Sequence, residues 1–270
     1  MTPSLQFSTI IPWSNRPELA ITLRENQAQL ASFTSEIIVV NCGGDSRIVE
    51  QAVRQVPSLK LANLAVNAFN KSLALNLGAS LAQGEFLFLL DADVKLTPHL
   101  LERMAAHTSR GSAFVTVERL TESEPAIETG GAVVEVAHSI ELVLLDRRRI
   151  SLDTNRIRYA DGSRSAPGLL MVAREDFYRV GGMNSDLAGW GWEDLDLIIR
   201  LKAKGHLEQH FVGEAMHLSH GDDKRSFHSA NGQDEVENFL VCLANYRLGH
   251  FDGTYEDDKN TWGNKIEIPA

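Results

Sequence analysis

The sequence predicts an α/β fold with a mainly parallel central sheet flanked by helices, and three observations carry that prediction. In the first part of the chain short β-like runs alternate with helical periodicity, the pattern of βαβ units. The run Phe86 to Leu90, FLFLL, is apolar without a break, as a strand buried on both faces requires. It stops at Asp91-Ala92-Asp93, and open parallel sheets collect their ligands beyond the carboxyl ends of their strands.

In order, FSTIIPW predicts a first strand. Pro17 sits early in the next helix, ELAITLRENQAQLASF, where a missing N–H costs nothing. EIIVVN is a second strand stopped by Gly43-Gly44, and a helix runs from about Asp45 to Val56. KLANLAV is a third, weaker strand, and NKSLALNLGASLAQG is a helix with Leu73, Leu77 and Leu81 on one face. EFLFLL is the central strand, after which Thr97-Pro98 opens the helix HLLERMAAHTS with Thr97 as its N-cap. SAFVTVERL and GAVVEV alternate as strands do. Residues 146–166 carry six arginines and few apolar residues, the composition of a solvated loop, and loops over a sheet can also border a binding site. GLLMVA returns to strand, REDFYRVGG is a short helix closed by Gly181-Gly182, and EDLDLIIRLKAKG is a helix stopped at Gly205. The last helix, DEVENFLVCLANYRLG, is expected to pack through Val236, Phe239, Leu240 and Leu243, with a polar, extended or mobile tail from Phe251.

With 270 residues, 43% of them hydrophobic, the chain can bury one large core. Its 26 Lys and Arg against 36 Asp and Glu give a net charge of −10, which argues against a nucleic-acid or anionic-membrane surface. Cys42 and Cys242 have no metal-ligand spacing, so neither a disulfide framework nor a zinc site is expected. The opening MTPSLQFSTIIPW lacks a basic region followed by a long apolar run, and no stretch reaches the ~20 apolar residues that cross a bilayer. A cytoplasmic protein is expected, with peripheral membrane association left open.

Three constellations could carry chemistry. Asp91 and Asp93, one residue apart, suit a hard divalent ion such as Mg²⁺ or Mn²⁺, though one of them could equally cap the following turn. GWGWEDLDL (189–197) sets Trp190 and Trp192 between glycines and then places Glu193-Asp194 at a helix start. The two indoles offer flat faces of the kind that stack on sugar rings, and acids in a first helical turn are favoured by the macrodipole alone. MHLSHGDDKR (216–225) places His217 and His220 three residues apart, where imidazoles could complete a carboxylate metal site, with Lys224 and Arg225 near enough in sequence to meet phosphate.

Together these segments resemble the inverting, nucleotide-sugar-dependent glycosyltransferases of the GT-A fold in the broad family-2 group, above all β-1,4-galactosyltransferases and chondroitin-polymerase-type domains. FNKSLALNLG is similar to that group's Phe-Asn…Leu-Asn-x-Gly segment, and LFLLDADVKL to its apolar strand ending in Asp-x-Asp. VGGMNSDLAGWGWEDLDLIIRL is similar to its Gly-Gly-Phe…Gly-Trp-Gly-Gly-Glu-Asp…Arg-Leu segment, and MHLSH to its late metal-binding histidine region. The order and spacing agree over roughly residues 7–225.

The resemblance implies a GT-A, Rossmann-like nucleotide-diphospho-sugar transferase domain over residues 1–250. Its halves would be 1–110 for the nucleotide sugar and 111–250 for acceptor and catalysis, followed by a tail, 251–270. It implies a UDP-sugar donor, a carbohydrate-type acceptor and a Mn²⁺ or Mg²⁺ ion held by Asp91, Asp93, His220 and His217. Pro12, Arg16, Glu18, Asn41, Lys71 and Asp91 to Asp93, with Ala92 between, would border the donor. Trp190, Gly191, Trp192 and Glu193 would contact sugar, and Asp194 would be the catalytic base. Asn41 stands where the wider group often has Asp, and Trp192 replaces a common glycine. His217 stands where some relatives have Met, which favours a harder coordination sphere. Two other readings compete: a nucleotidyltransferase, which would normally carry a Gly-rich basic loop that IIPWSNRPEL lacks, and a catalytically inactive sugar-binding homologue, which would be expected to lose one of the carboxylate sites.

Overall fold

The computed structural model describes residues 7–33, 36–54, 56, 59–108, 112–124, 131–221 and 233–269. Strands β1 (Phe7–Trp13), β2 (Glu36–Cys42), β3 (Leu59–Leu64) and β4 (Phe86–Leu89) run parallel in the order β3-β2-β1-β4. Helices α1 (Leu19–Phe33), α2 (Ser46–Val53) and α3 (Lys71–Leu81) connect them, so the predicted βαβ pattern is present. Successive residues of each strand point to opposite faces. Ile10, Ile38, Val40, Leu87 and Leu89 join one hydrophobic cluster, and Ile11, Ile37, Val39, Phe88 and Leu90 join the other. Burial on both faces is the reason FLFLL is continuously apolar.

Beyond β4 the sheet becomes mixed. β5 (Val94–Leu96) and α4 (Leu100–Thr108) follow, then β6 (Ala113–Glu122), β7 (Glu135–Val143), β8 (Arg149–Arg158) and β9 (Ser163–Ala173). Next come α5 (Arg174–Arg179), α6 (Glu193–Ala203), β10 (Glu208–Phe211), β11 (Glu214–His217), α7 (Asp234–Arg247), α8 (Tyr255–Trp262) and β12 (Ile266–Glu267). The sheet order is β12-β3-β2-β1-β4-β9-β6-β11-β5, with β10 on β6 and the β7–β8 hairpin attached through β9. No helix among the described residues is long and apolar enough to cross a membrane. Cys42 and Cys242 are buried free thiols.

Several local expectations change. The arginine-rich segment 146–166 is not a loop: it forms β8 and the start of β9, and five of its six arginines pair with carboxylates: Arg148 with Asp146, Arg149 with Glu141, Arg156 with Asp153 and Glu135, Arg158 with Glu135, and Arg164 with Glu122. Strand pairing thus overrides a polar composition whose charges are neutralised across the ladder. Helix α3 is buried on nearly every side from Ser72 to Ala79, not along a leucine stripe alone. It can approach the sheet because Gly78 leaves out a Cβ that would stand 2.3 Å from Ile10 Cγ2. Thr97 does not cap a helix; its hydroxyl donates to the Glu214 carbonyl, and α4 starts at Leu100. In α7 the buried positions are Asp234, Asn238 and Cys242, while Val236 and Leu240 are exposed. The segment after Phe251 folds back as α8, whose Asp258 accepts from Asn76 of α3 at 2.7 Å, and β12 pairs with β3.

Candidate functional site

A cleft of about 520 Å³ opens at the carboxyl ends of β1 and β4. Pro12, Arg16, Lys71, Asp91, Ala92, Asp93, Trp190, Gly191, Trp192, Glu193, Asp194, His217 and His220 all line it. These residues come from both halves of the chain, and three structural devices bring them together.

The first device is β5. Leu90 N–H still donates to Ile10 at 3.0 Å, so Asp91 and Asp93 stand just past the end of the buried strand. The chain then enters β5, which pairs antiparallel with β11 and aligns Val94 with His217. On its other side β11 pairs with β6 and aligns His217 with Glu122. The Leu218 N–H donates to the Asp93 carbonyl at 2.8 Å and locks the crossing. Asp93, His217 and His220 are thereby gathered with their ligand atoms within 4.8 Å of one another. Asp93 Oδ2 lies 3.3 Å from His220 Nε2 and 3.6 Å from His217 Nε2.

This donor set fits a divalent ion. His217 donates through Nδ1 to Glu122 Oε2 at 2.6 Å, and His220 donates through Nδ1 to the Gly221 carbonyl at 3.0 Å. Both Nε2 atoms face Asp93 and, once deprotonated, would offer lone pairs to an ion, each ring oriented by an acceptor behind it. Glu122 also accepts from Ser219 and pairs with Arg164 Nε at 3.1 Å. Without an ion, burial works against the His217 cation, but hydrogen bonds to Asp93 and Glu122 raise its pKa to about 9. Burial likewise raises Glu122, and the hydrogen bond and charge of His217 outweigh it and hold Glu122 at about 2. Burial pushes Asp93 up, yet His217, Arg16 and His220 hold it below the usual carboxylate range. The His217 cation thus balances Asp93 and Glu122, a positive charge that a divalent ion would supply in its place.

Asp91 stands apart from this cluster. Its Oδ1 is 3.0 Å from Lys71 Nζ, and the same ammonium is 2.9 Å from Asp194 Oδ2. This is the second device: Lys71 opens α3, whose N-cap Asn70 accepts from Leu73 N–H at 2.9 Å. A cation at a helix N-terminus opposes the macrodipole. Burial also disfavours it, but Asp194, Asp91 and Glu193 outweigh the burial and raise Lys71 well above its ordinary value. The pair fits only because Gly168 of β9 lacks a side chain, since a Cβ there would stand 2.5 Å from Asp194 Oδ2 and 2.9 Å from Lys71 Nζ.

The third device is the turn into α6. Trp192 holds φ at +73° before the helix, a conformation few bulky residues adopt. Asn238 of α7 holds the turn by donating to the carbonyls of Ala188 (3.1 Å) and Gly191 (2.8 Å). The Trp192 ring is buried against Phe239, with centroids 4.4 Å apart, so it is packed into the core where the sequence suggested a free stacking face. Trp190 is the open one, 38% exposed. Glu193 and Asp194 start the helix. Burial raises Glu193 to about 7, with the Asp194 charge adding to it. Burial also raises Asp194, Lys71 opposes that, and Asp91 adds to it.

Two expected donor residues do not line the cleft. Asn41 is buried and its amide is engaged locally: it donates to Gly44 and Asn63 and accepts from the Gly44 N–H. Glu18 lies outside the lining. Arg16 does face the cleft and carries a buried Nη1 with no hydrogen-bond partner among the described residues, as a site for anionic oxygens would. Lys224 and Arg225 lie outside the described residues. Sequence reasoning missed Glu122 and Gly168, whereas the Thr154, Asn155, Ile157 and Arg164 wall belongs to the 146–166 segment that it marked as able to border a site. Only the alternation of β6 into VERLTE hinted at Glu122.

Residues 8–164 match the profile described as Glycosyl transferase family 2, and residues 147–221 match one described as the N-terminal domain of galactosyltransferase. The chain is 26% identical over 224 residues to Validoxylamine A glucosyltransferase of Streptomyces hygroscopicus subsp. jinggangensis (strain 5008), covering 73% of this chain and 51% of that protein. It is 27% identical over 132 residues to a Putative polypeptide N-acetylgalactosaminyltransferase 13 of Drosophila melanogaster, covering 47% of this chain and 23% of that one. The chain spans about half the length or less of these curated relatives. Among solved structures, GalNAc-T7 with UDP, GalNAc and Mn²⁺ superposes with a TM-score of 0.60 at 14% identity, covering 90% of this chain and 48% of that chain. The mannosyltransferase PcManGT of Pyrobaculum calidifontis, with GDP-Man and Mn²⁺, gives 0.54 at 15% identity, covering 90% of this chain and 65% of that chain. The shared fold is GT-A, and with the family profile spanning residues 8–164, more than half of the sequence, the chain belongs to glycosyl transferase family 2.

Proposed function

We propose that the protein transfers a hexose or N-acetylhexosamine from a UDP-sugar to an acceptor hydroxyl, with inversion and with a divalent ion. One observation carries this reading: the Asp93–His217–His220 cluster and the Lys71–Asp194 pair face each other in a single cleft. A diphosphate needs charge neutralisation and a hydroxyl needs a base, and the cleft offers groups suited to each. Residues 1–110 would contribute most of the donor side and 111–250 the acceptor side.

Asp93, His217 and His220 would hold Mn²⁺ or Mg²⁺, which when bound neutralises the leaving diphosphate as a Lewis acid. Arg16 would meet the diphosphate with its unpartnered guanidinium nitrogen. Pro12 and Ala92 shape the wall, and the Ala92 carbonyl is fixed by Thr22 Oγ1 at 2.9 Å. Trp190 and Gly191 would border the acceptor sugar, with Glu193 and the buried Trp192 behind them. Asp194 would take the acceptor's proton. Lys71 binds its Oδ2, so the other oxygen is the one for the hydroxyl. A single base suffices for one displacement. Double displacement would need a nucleophilic carboxylate on the opposite face. Asp91 shares the Lys71 ammonium with Asp194 and so lies beside it, not across from it, and burial pushes Glu193 towards its neutral form.

The relatives named as a glucosyltransferase and an N-acetylgalactosaminyltransferase support transfer from a nucleotide sugar, and the UDP and Mn²⁺ of the GalNAc-T7 structure support that choice of donor and ion. The test is UDP release from a panel of UDP-sugars with Mn²⁺ and again in EDTA, with the product's anomeric configuration read by proton NMR. Release that depends on the ion and gives inverted product supports the reading. Full rate in chelator, retained configuration or no release from any donor refutes it.

A further inference from the structure

Next to the cleft lies a second groove of about 350 Å³, formed by β6, β8, β9, β10 and α6. Ser165, Ala166 and Pro167 of β9 line both spaces. After the bulge at Asp153–Asn155, β8 alternates between them: Asn155 and Ile157 face the cleft, while Arg156 and Arg158 face the groove. On α6, Ile198 of the groove is four residues beyond Asp194 of the cleft, one helical turn or about 6 Å along the axis. The groove therefore begins within the reach of a molecule whose hydroxyl sits at Asp194.

The chemistry of its walls selects among ligands. Phe211 is 56% exposed at the rim and offers an apolar ring face. Gln209 lies on the same strand, with an amide that donates to Thr116 Oγ1 at 3.0 Å and lies 3.5 Å from Lys202 through its oxygen. Most of the wall charge is paired, Arg156 with Asp153 and Glu135 and Arg158 with Glu135, while Glu118 adds a further carboxylate and Arg158 Nη1 is buried with no hydrogen-bond partner among the described residues. An anionic ligand would meet Glu118 and Asp153 on the same walls, whereas the single free nitrogen of Arg158 can donate equally well to a neutral hydroxyl. An aromatic face beside planar amide, guanidinium and carboxylate groups, with little net charge, suits a neutral polyhydroxylated ligand.

We propose that this groove is an acceptor subsite for a neutral oligosaccharide or glycoside: it holds a sugar beyond the one that reacts, with Phe211 and Gln209 as its recognition residues. The proposal rests on the transferase reading for its link to catalysis, but binding in the groove can be measured without turnover.

The experiment is saturation-transfer NMR and calorimetry of the full chain with glucose, cellobiose and cellotriose, and with N-acetylglucosamine, chitobiose and chitotriose. Each series is repeated with Phe211→Ala and Gln209→Ala. At least one series should bind about tenfold tighter as a trisaccharide than as a monosaccharide, the worth of one or two good contacts. The ratio should fall towards one in Phe211→Ala, whose half-exposed ring can be removed without opening the core, and should fall in part in Gln209→Ala. Equal affinity for mono- and trisaccharide in both series overturns the proposal, as does a length dependence that survives Phe211→Ala. UDP release with the same sugars separates the two readings. Length-dependent binding without release from any UDP-sugar would leave the groove and remove the transferase reading. Release with no dependence on acceptor length would do the reverse.

Discussion

Lys71 and Asp194, 123 residues apart in sequence, meet at 2.9 Å in the cleft. The ammonium also reaches Asp91 at 3.0 Å, so one cation ties the end of the central strand to the start of α6. If Asp194 is the base, Asp194→Asn should lower the transfer rate by roughly 10²–10⁴-fold while UDP binding, measured by calorimetry, stays near wild type. Lys71→Met should act differently. Removing the cation raises the Asp194 pKa further, so activity should be lost first on the acid side and the acid limb of the pH–rate profile should move upward. A Lys71→Met profile that is merely scaled down would assign Lys71 to donor binding alone.

Gly168 gives a sharper test of the same pair. Gly168→Ala places a methyl group 2.5 Å from Asp194 Oδ2 and 2.9 Å from Lys71 Nζ, and side-chain ends can move aside where a backbone cannot. The expected result is a fall in kcat of about tenfold or more, with a melting temperature within a few degrees of wild type. Unchanged kcat would show that the Lys71–Asp194 spacing does not matter.

For the ion, Asp93→Ala should abolish Mn²⁺ binding measured by calorimetry or by its electron-spin resonance signal. Glu122→Gln leaves all three candidate ligands in place and alters the acceptor behind His217, together with its contacts to Ser219 and Arg164. It should weaken binding by about 10–100-fold. Asp91→Ala should weaken it less than Asp93→Ala, because Asp91 faces Lys71. Equal losses at both aspartates would return Asp91 to the coordination sphere.

Glu193 should make stability depend on pH. Its folded pKa, raised by burial to about 7, exceeds the ordinary 4.5, so its protonated form is favoured in the native state. That contribution is complete below about pH 4.5 and is lost as pH rises through about 7, by up to about 3 kcal/mol. Glu193→Gln cannot ionise and should therefore gain stability relative to wild type from pH 5 to pH 8 in denaturant melts. A difference between the two proteins that does not change with pH would reject this account.

Much of the frame was legible because it depends on local pattern. The unbroken run at Phe86 to Leu90, too short for a helix and set among βαβ patterns, read as a strand with both faces covered, and the helical periods between strands required crossovers. Gly181-Gly182 and Gly205 marked helix ends, and the glycines around Trp190 marked a turn. The 146–166 segment misled because its charge pattern is indistinguishable from that of a loop until each arginine's partner is known. Trp192 misled for a related reason: an aromatic residue beside glycines reads as exposed unless Phe239, forty-seven residues later, is seen to cover it.

By itself the sequence determined the α/β class, the end of the central strand at Asp91 to Asp93, and the residue types available for a metal, a base and a sugar contact. Only the tertiary structure decided how they divide. β11, inserted between β5 and β6, carries His217 to Asp93 on one side and Glu122 on the other, whereas α3, drawn close by Gly78, carries Lys71 to Asp91 and Asp194. The physical reason is that strand register and helix approach are set by pairing across long sequence separations. Two aspartates one residue apart can therefore face different partners, a distinction that no local pattern encodes.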